Sequence, residues 1–140
     1  MQYERLGNSG LIVSKICLGT LSFGKGLCDA AMHKVDQPLA DRMVAESFDQ
    51  GVNYFNTADV YAQGASEIML AKALGNRRGD AVICTKVGLR NGSRVIHQGL
   101  SRRHILGSVE ASLRRLQTVL IDVLTLHCPD PHTPLDETLD

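Results

Sequence analysis

Leu39-Ala40-Asp41-Arg42-Met43-Val44-Ala45-Glu46-Ser47-Phe48-Asp49-Gln50-Gly51-Val52-Asn53-Tyr54-Phe55-Asn56 holds one complete repeat unit of the fold. Its front part sets Leu39, Met43, Val44 and Phe48 on one stripe at helical spacing, and Gly51 stops the helix. Its back part, Val52 to Phe55, is a short apolar run of strand length. The same alternation continues outward on both sides. Further short runs are Ile16-Cys17-Leu18-Gly19, Ala81-Val82-Ile83-Cys84 and Ile121-Asp122-Val123-Leu124-Thr125-Leu126. Between them, Ala65 to Leu74 reads as a helix opened by Ser66 and Glu67 and closed by Gly75. Ser101 suits the N-cap of another helix, in which Ile105, Val109, Leu113 and Leu116 share a face. Arg102, Arg103, Arg114 and Arg115 would then face solvent. Strand and helix repeated in this way predict right-handed βαβ units on a parallel sheet, an α/β fold. Ahead of them, Tyr3 to Leu6 and Leu11 to Val13 flank Gly7-Asn8-Ser9-Gly10, a pattern for a β-hairpin. Gly24 to Pro38 and Gly88 to Gly99 are long polar connections of the kind that carry function in such folds.

The chain's 140 residues suit one domain, with a hairpin over 1–14 and four strand-helix units over 15–140. Apolar residues make up 44% and charged residues 21%, enough to bury a core. Fifteen basic side chains balance fifteen acidic ones, so no basic field is present to attract nucleic acid or an anionic membrane. No apolar run approaches the roughly 20 residues of a spanning helix. Met1-Gln2-Tyr3-Glu4-Arg5 does not open like a signal peptide, and the expected compartment is cytoplasmic. Cys17, Cys28, Cys84 and Cys128 form no C-x-x-C pair and read as reduced thiols, with Cys17 and Cys84 acting as small hydrophobes within their runs. Thr133 to Asp140 begins like a helix and stops about one turn in, which reads as the front part of something longer.

Polar groups gather just past three successive strands. Asn56 closes the run Val52 to Phe55, Lys86 follows Cys84 and Thr85, and His127 follows Leu126, with Tyr61 in the loop after Asn56. In a parallel α/β arrangement these ends lie on one face, where active sites form. Taken singly, each has an ordinary role: a packed ring, a solvated charge, a hydrogen-bonded imidazole.

Two other patterns compete. Gly19-Thr20-Leu21-Ser22-Phe23-Gly24-Lys25 fits the spacing of a phosphate loop, but Gly26 stands where a magnesium-binding hydroxyl belongs. His127, Cys128, Asp130 and His132 carry metal-capable atoms without the paired spacing of a zinc site, so no metal is expected.

The stretch Gly51 to Tyr61, followed by Gly64-Ala65-Ser66-Glu67, resembles the signature of the aldo-keto reductases. Cys84-Thr85-Lys86-Val87-Gly88, Ser112-Leu113-Arg114-Arg115-Leu116 and Ile121-Asp122 through His127 are similar to further family blocks, in the same order. So is the opening, with Leu6-Gly7, Ser9-Gly10-Leu11, Val13-Ser14 and Leu18-Gly19-Thr20. The resemblance implies a partial (β/α)8 TIM barrel, its first four strand-helix units preceded by the hairpin. It also implies reduction of a small-molecule aldehyde or ketone with NADPH. Tyr61 resembles the proton donor. A phenol donates reluctantly near neutral pH, and a neighbouring ammonium, Lys86, favours the phenolate left behind. His127 resembles the residue that orients the carbonyl oxygen or relays the proton. Gly19, Thr20 and Leu21 match the loop near the nicotinamide ribose, and the resemblance makes Asn56 a further cofactor-binding position.

Asn56 departs from the family, which has aspartate there. Amide for carboxylate keeps the shape and an acceptor but loses the charge. The expectation is a weakened site in which Asn56 still bonds Lys86; Asp59 is an alternative carboxylate, but it lies three positions off register and reads better as a residue near the following helix start. A closed barrel takes about 250 residues, so this chain alone should bind NADPH poorly and catalyse little. The alternative is a non-catalytic half barrel that associates with itself, or with a second half, through exposed edges.

Overall fold

A computed structural model describes residues 1–24 and 34–140. Lys25, Gly26 and Cys28, which bear on the phosphate-loop and thiol readings, lie outside the described residues. The opening hairpin pairs β1 (Tyr3–Arg5) with β2 (Ile12–Ser14), Tyr3 opposite Ser14. The strands β3 (Cys17–Gly19), β4 (Tyr54–Asn56), β5 (Val82–Val87) and β6 (Val123–Leu126) form one sheet in the order β3-β4-β5-β6, every neighbour pair parallel. The helices α1 (Gln37–Asp49), α2 (Ala65–Leu74) and α3 (Arg102–Leu116) connect them, and a short α4 (Leu135–Leu139) follows β6.

Neighbouring strands in chain order, with α1 against α2 and α2 against α3, place these helices along one face of the sheet. A doubly wound sheet reverses its strand order and carries helices on both faces. The topology is therefore that of a partial (β/α)8 barrel. Its core fills the space between sheet and helices with Phe55 and Ile83 from the strands, Ala40 and Val44 from α1, Leu70 and Leu74 from α2, and Leu116 from α3. Each large side chain buried there contributes about 1.5–3 kcal/mol.

The hairpin is fastened to the start of β4. Ser14 N–H donates to Asn53 Oδ1 (2.7 Å), Asn53 Nδ2 donates to Ile12 O (3.2 Å), and Tyr3 Oη donates to Gly51 O (2.7 Å). It occupies the N-terminal end of the sheet and leaves the opposite rim to the loops.

Local details differ from expectation. Asp36 accepts from Leu39 N–H (3.0 Å) and caps α1, so the helix begins at Gln37 with Pro38 in its first turn. Lys86 lies inside β5 rather than after it, because β6 extends the ladder to Val87. In α3 the fully buried row is His104, Ser108, Ser112 and Leu116, while Ile105, Val109 and Leu113 are half-buried. The serines are small enough to let α3 approach α2 closely. Cys17 is exposed, not a buried hydrophobe as its run implied, whereas Cys84 is buried. On β6, Leu124 and Leu126 alternate with Thr125, which contacts Cys84, and both leucines are exposed.

Candidate active site

Register decides which side chains meet. Parallel partners point the same way, so Gly19, Asn56 and Cys84 share the face of the sheet opposite the helices, and Lys86, two residues beyond Cys84, joins them. Past the strand ends the ladder continues through backbone bonds. Thr20 N–H donates to Asn56 O (2.9 Å), Thr57 N–H to Cys84 O (2.8 Å), and His127 N–H to Val87 O (2.8 Å). These bonds align the rim residues of consecutive strands.

At the centre is Lys86. Its Nζ donates to Asn56 Oδ1 (2.5 Å), to Thr57 O (2.8 Å) and to Tyr61 Oη (2.9 Å). An ammonium has three protons, and each has an acceptor. Tyr61 Oη accepts from the lysine, which leaves its own proton free to be given elsewhere. His127 meets the Tyr61 ring edge-on, centroids 5.8 Å apart at 81°. Its Nδ1 is buried without a hydrogen-bond partner among the described residues. Burial first, and then the Lys86 charge, hold its pKa below the ordinary histidine value, so the ring is neutral near pH 7.

Tyr61 is set by an irregular turn, Tyr61–Gly64, in which Ala62 (φ 48°) and Gln63 (φ 56°) both take left-handed conformations. Beneath it lies a hydroxyl cluster. Thr20 Oγ1 and Ser66 Oγ are 2.8 Å apart, Ser66 donates to Thr20 O (2.7 Å), and Thr57 Oγ1 is 3.3 Å from Ser66 Oγ. The side chain of Thr20 is therefore consumed in holding the β3 rim to α2. Gly19 and Leu21 are exposed, and a Cβ at Gly19 would meet nothing within 4 Å. That bare stretch of backbone beside Asn56 suits a flat ring, so these residues fit a nicotinamide, with Thr20 contributing only main chain.

Asp59 does not replace the missing carboxylate. Its N–H donates to Lys86 O (3.2 Å), but its side chain turns to Asn91, whose Nδ2 donates to Asp59 Oδ2 (2.7 Å). Among the metal-capable residues after β6, Asp130 is occupied with protein donors: Leu100 N–H, His132 N–H and the Thr133 hydroxyl. Those bonds pull its pKa down to about 2.

One buried pair escaped the sequence reading. Glu67 is fully buried and accepts from Thr85 Oγ1 (2.6 Å) and from Arg115 Nε (2.6 Å), tying α2 to β5 and α3 behind the rim. Arg115 is thus half-buried and paired rather than solvated. Spacing carried a signal: Glu67 lies at i, i+3 and i+7 with Leu70 and Leu74, an acid on an apolar stripe.

Singly wound parallel strands with helices on one face, and a tyrosine-lysine-asparagine cluster at the C-terminal rim, define the front of a (β/α)8 barrel with a polar rim site. The family model described as the Aldo/keto reductase family matches residues 15–140, and the chain belongs to that family of oxidoreductases. It is similar to a probable voltage-gated potassium channel subunit beta of Arabidopsis thaliana, 42% identical over 142 residues that cover 99% of this chain and 41% of that protein. Among solved structures it is similar to the aldo-keto reductase AKR11C1 from Bacillus halodurans in its holo form. That match has a TM-score of 0.82 and 38% identity, and covers 99% of this chain and 44% of the other. The chain spans 41–44% of the length of these two relatives. No helix among the described residues is long and apolar enough to cross a membrane.

Proposed function

We propose that residues 1–140 form one incomplete domain, the first four units of a reductase barrel, and that this domain serves NADPH-dependent reduction of an aldehyde or ketone. The observation that carries the reading is the Lys86 Nζ bond to Tyr61 Oη at 2.9 Å, on a rim shared with His127. Tyr61 gives its proton to the carbonyl oxygen. The ammonium of Lys86, already donating to that phenol, stabilises the phenolate as it forms. His127, neutral and with an unpartnered buried Nδ1, orients the carbonyl. Gly19, Thr20, Leu21 and Asn56 would hold the nicotinamide end of NADPH, which supplies the hydride when bound. The acceptors on Lys86 here are a side-chain amide, a carbonyl and a phenol, all neutral, so the lysine charge is not cancelled as a carboxylate at position 56 would cancel it. The free thiols of Cys17, Cys84 and Cys128 agree with a cytoplasmic location.

The test joins this chain to the C-terminal part of the Bacillus halodurans enzyme and follows NADPH absorbance with an aldehyde. Tyr61→Phe should lower turnover by about 10²–10⁴-fold, and Asn56→Asp should raise it. A Tyr61→Phe hybrid as fast as its parent would refute the reading.

A second reading is a half barrel that pairs with itself. The exposed Leu124 and Leu126 on β6, with Leu135 and Leu139 on α4, favour it. Light scattering on the eluted chain decides: a defined dimer supports pairing, and a monomer rejects it.

A further inference from the structure

Three consecutive residues in the turn that carries Tyr61 take left-handed backbone conformations: Ala62 (φ 48°), Gln63 (φ 56°) and Gly64 (φ 89°). Two of them are not glycine, and such strain persists only where the surroundings over-determine it. Here they do so from two sides. On one, buried Ala62 packs against the backbone of Gly24: a Cβ at Gly24 would stand 3.1 Å from Ala62 Cβ and 3.4 Å from Ala65 Cβ. On the other, Arg115 lies across Gly64. A Cβ at Gly64 would stand 2.7 Å from Arg115 Cδ, 2.9 Å from its Nε and 3.3 Å from its Cζ, so only a glycine leaves room for the arginine. The arginine is itself fixed. Its Nε donates to Glu67 Oε2 (2.6 Å) and its Nη2 to Ser112 Oγ (3.0 Å). The other oxygen of Glu67 accepts from the hydroxyl of Thr85 (2.6 Å), the residue before Lys86 on β5. Neighbours along a strand point to opposite faces, so Glu67 grips β5 from behind while Lys86 reaches Tyr61 Oη in front (2.9 Å). One buried carboxylate thus braces both partners of the Lys86–Tyr61 bond, the lysine through Thr85 and the tyrosine through Arg115 and Gly64.

We propose that Arg115 is a positioning residue for Tyr61: held by Glu67 and laid on Gly64, it keeps the left-handed turn in the shape that sets the Tyr61 hydroxyl against Lys86. The inference rests on the reading of Tyr61 as proton donor. Arg115 bonds neither Tyr61 nor Lys86 and acts through the backbone of the turn. Proton transfer demands a donor within hydrogen-bond reach, and a small misplacement of a reacting group lowers the rate far more than it lowers binding. Arg115 therefore bears on turnover and leaves cofactor affinity alone. Charge and shape separate at this brace. Stability depends on not stranding the Glu67 carboxylate, whereas the hold on Gly64 depends on the arginine stem itself, so a change that removes both charges restores the first without the second.

The experiment uses the hybrid with the Bacillus halodurans C-terminal part, carbon-13 labelled in its tyrosine and histidine rings. In the parent, an NMR cross-peak should join the rings of Tyr61 and His127, whose centroids are 5.8 Å apart, and Tyr61→Phe assigns it. Arg115→Ala should abolish that cross-peak and lower kcat at least tenfold, with KM for NADPH within twofold. Adding Glu67→Gln leaves no buried charge stranded, so the double variant should resist urea better than Arg115→Ala yet stay at least tenfold slower than the parent. Gly64→Ala, which drives a Cβ into the arginine, should weaken the same cross-peak with both charges in place. Arg114→Met, at the exposed neighbouring position, should keep kcat within twofold. A parent without the cross-peak, an intact cross-peak in the double variant or in Gly64→Ala, a double variant as fast as the parent, or an equal loss in Arg114→Met would each overturn the proposal. The ring contact is read without turnover. A Tyr61→Phe hybrid as fast as its parent would therefore strike the proton-donor reading, while the cross-peaks still decide whether Arg115 sets the tyrosine.

Discussion

Arg115→Met removes the guanidinium from the most buried charge in the described residues and leaves Glu67 with Thr85 Oγ1 as its remaining donor. Methionine retains most of the stem, so packing changes little and the electrostatic loss dominates. Stranding one member of a buried pair costs about 3–5 kcal/mol. An independent route gives a similar figure. The orphaned carboxylate can escape by taking a proton, and protonating a free glutamate, with a pKa of about 4.3, costs about 3.7 kcal/mol at pH 7. The same escape costs only about 1 kcal/mol at pH 5. Urea unfolding followed by circular dichroism should therefore show a loss of about 3–4 kcal/mol at pH 7 that shrinks markedly at pH 5. Glu67→Gln combined with Arg115→Met, which leaves no charge behind, should recover at least half of the pH 7 deficit. A loss below about 1 kcal/mol at pH 7, or a loss identical at both pH values, would show that Glu67 is not a dry, paired anion and that the reasoning fails.

Four further outcomes follow from named positions. Burial raises the Asp59 carboxyl from 3.8 to about 6, so the folded chain holds this proton more tightly than the unfolded one. Its contribution to stability is full below the unfolded value and is lost as pH rises through about 6, by about 2–3 kcal/mol after solvent screening. Asp59→Asn should flatten that part of the curve, and an unchanged slope between pH 4 and 7 would assign it elsewhere. Gly99→Ala places a Cβ 2.6 Å from Asp130 Oδ2 at a φ of +81°, and should cost about 2–3 kcal/mol from backbone strain and weakened hydrogen bonds. Gly10→Ala, which meets nothing within 4 Å, should stay within about 0.5 kcal/mol by the same denaturation assay. Gln63→Gly relieves a left-handed φ of 56° and should raise the thermal midpoint, worth about 0.5–1 kcal/mol; a lowered midpoint would mean the glutamine side chain matters more than the strain.

Much of the architecture was legible because periodicity reports burial. Ala65 to Leu74 became α2 at the bounds its pattern implied, and Ser101 caps α3 as its position suggested. The rim cluster was legible for a topological reason: parallel strands put their C-terminal ends together whatever their separation in the chain. Pairings between helices were harder. Glu67 reads as a first-turn acid that favours a helix start, and Arg115 as one of several cations on a solvated face. Only the approach of α3 to α2 converts them into a buried pair. Cys17 failed for the converse reason. Its run is apolar, but its strand turns that side chain to the face opposite the helices, where the described residues leave it exposed. Asp59 is similar, since its destination depends on Asn91 from a loop more than thirty positions away.

The order β3-β4-β5-β6 repeats the order of the chain. Each strand docks on one already laid down, so no element must wait for a distant segment to emerge. A polypeptide leaving the ribosome can build this sheet by accretion, the newest edge templating the next arrival. Growth of this kind makes every intermediate a shorter version of the finished object, and it makes the β6 margin, with Leu124 and Leu126 still uncovered, the point at which a chaperone would need to stand guard.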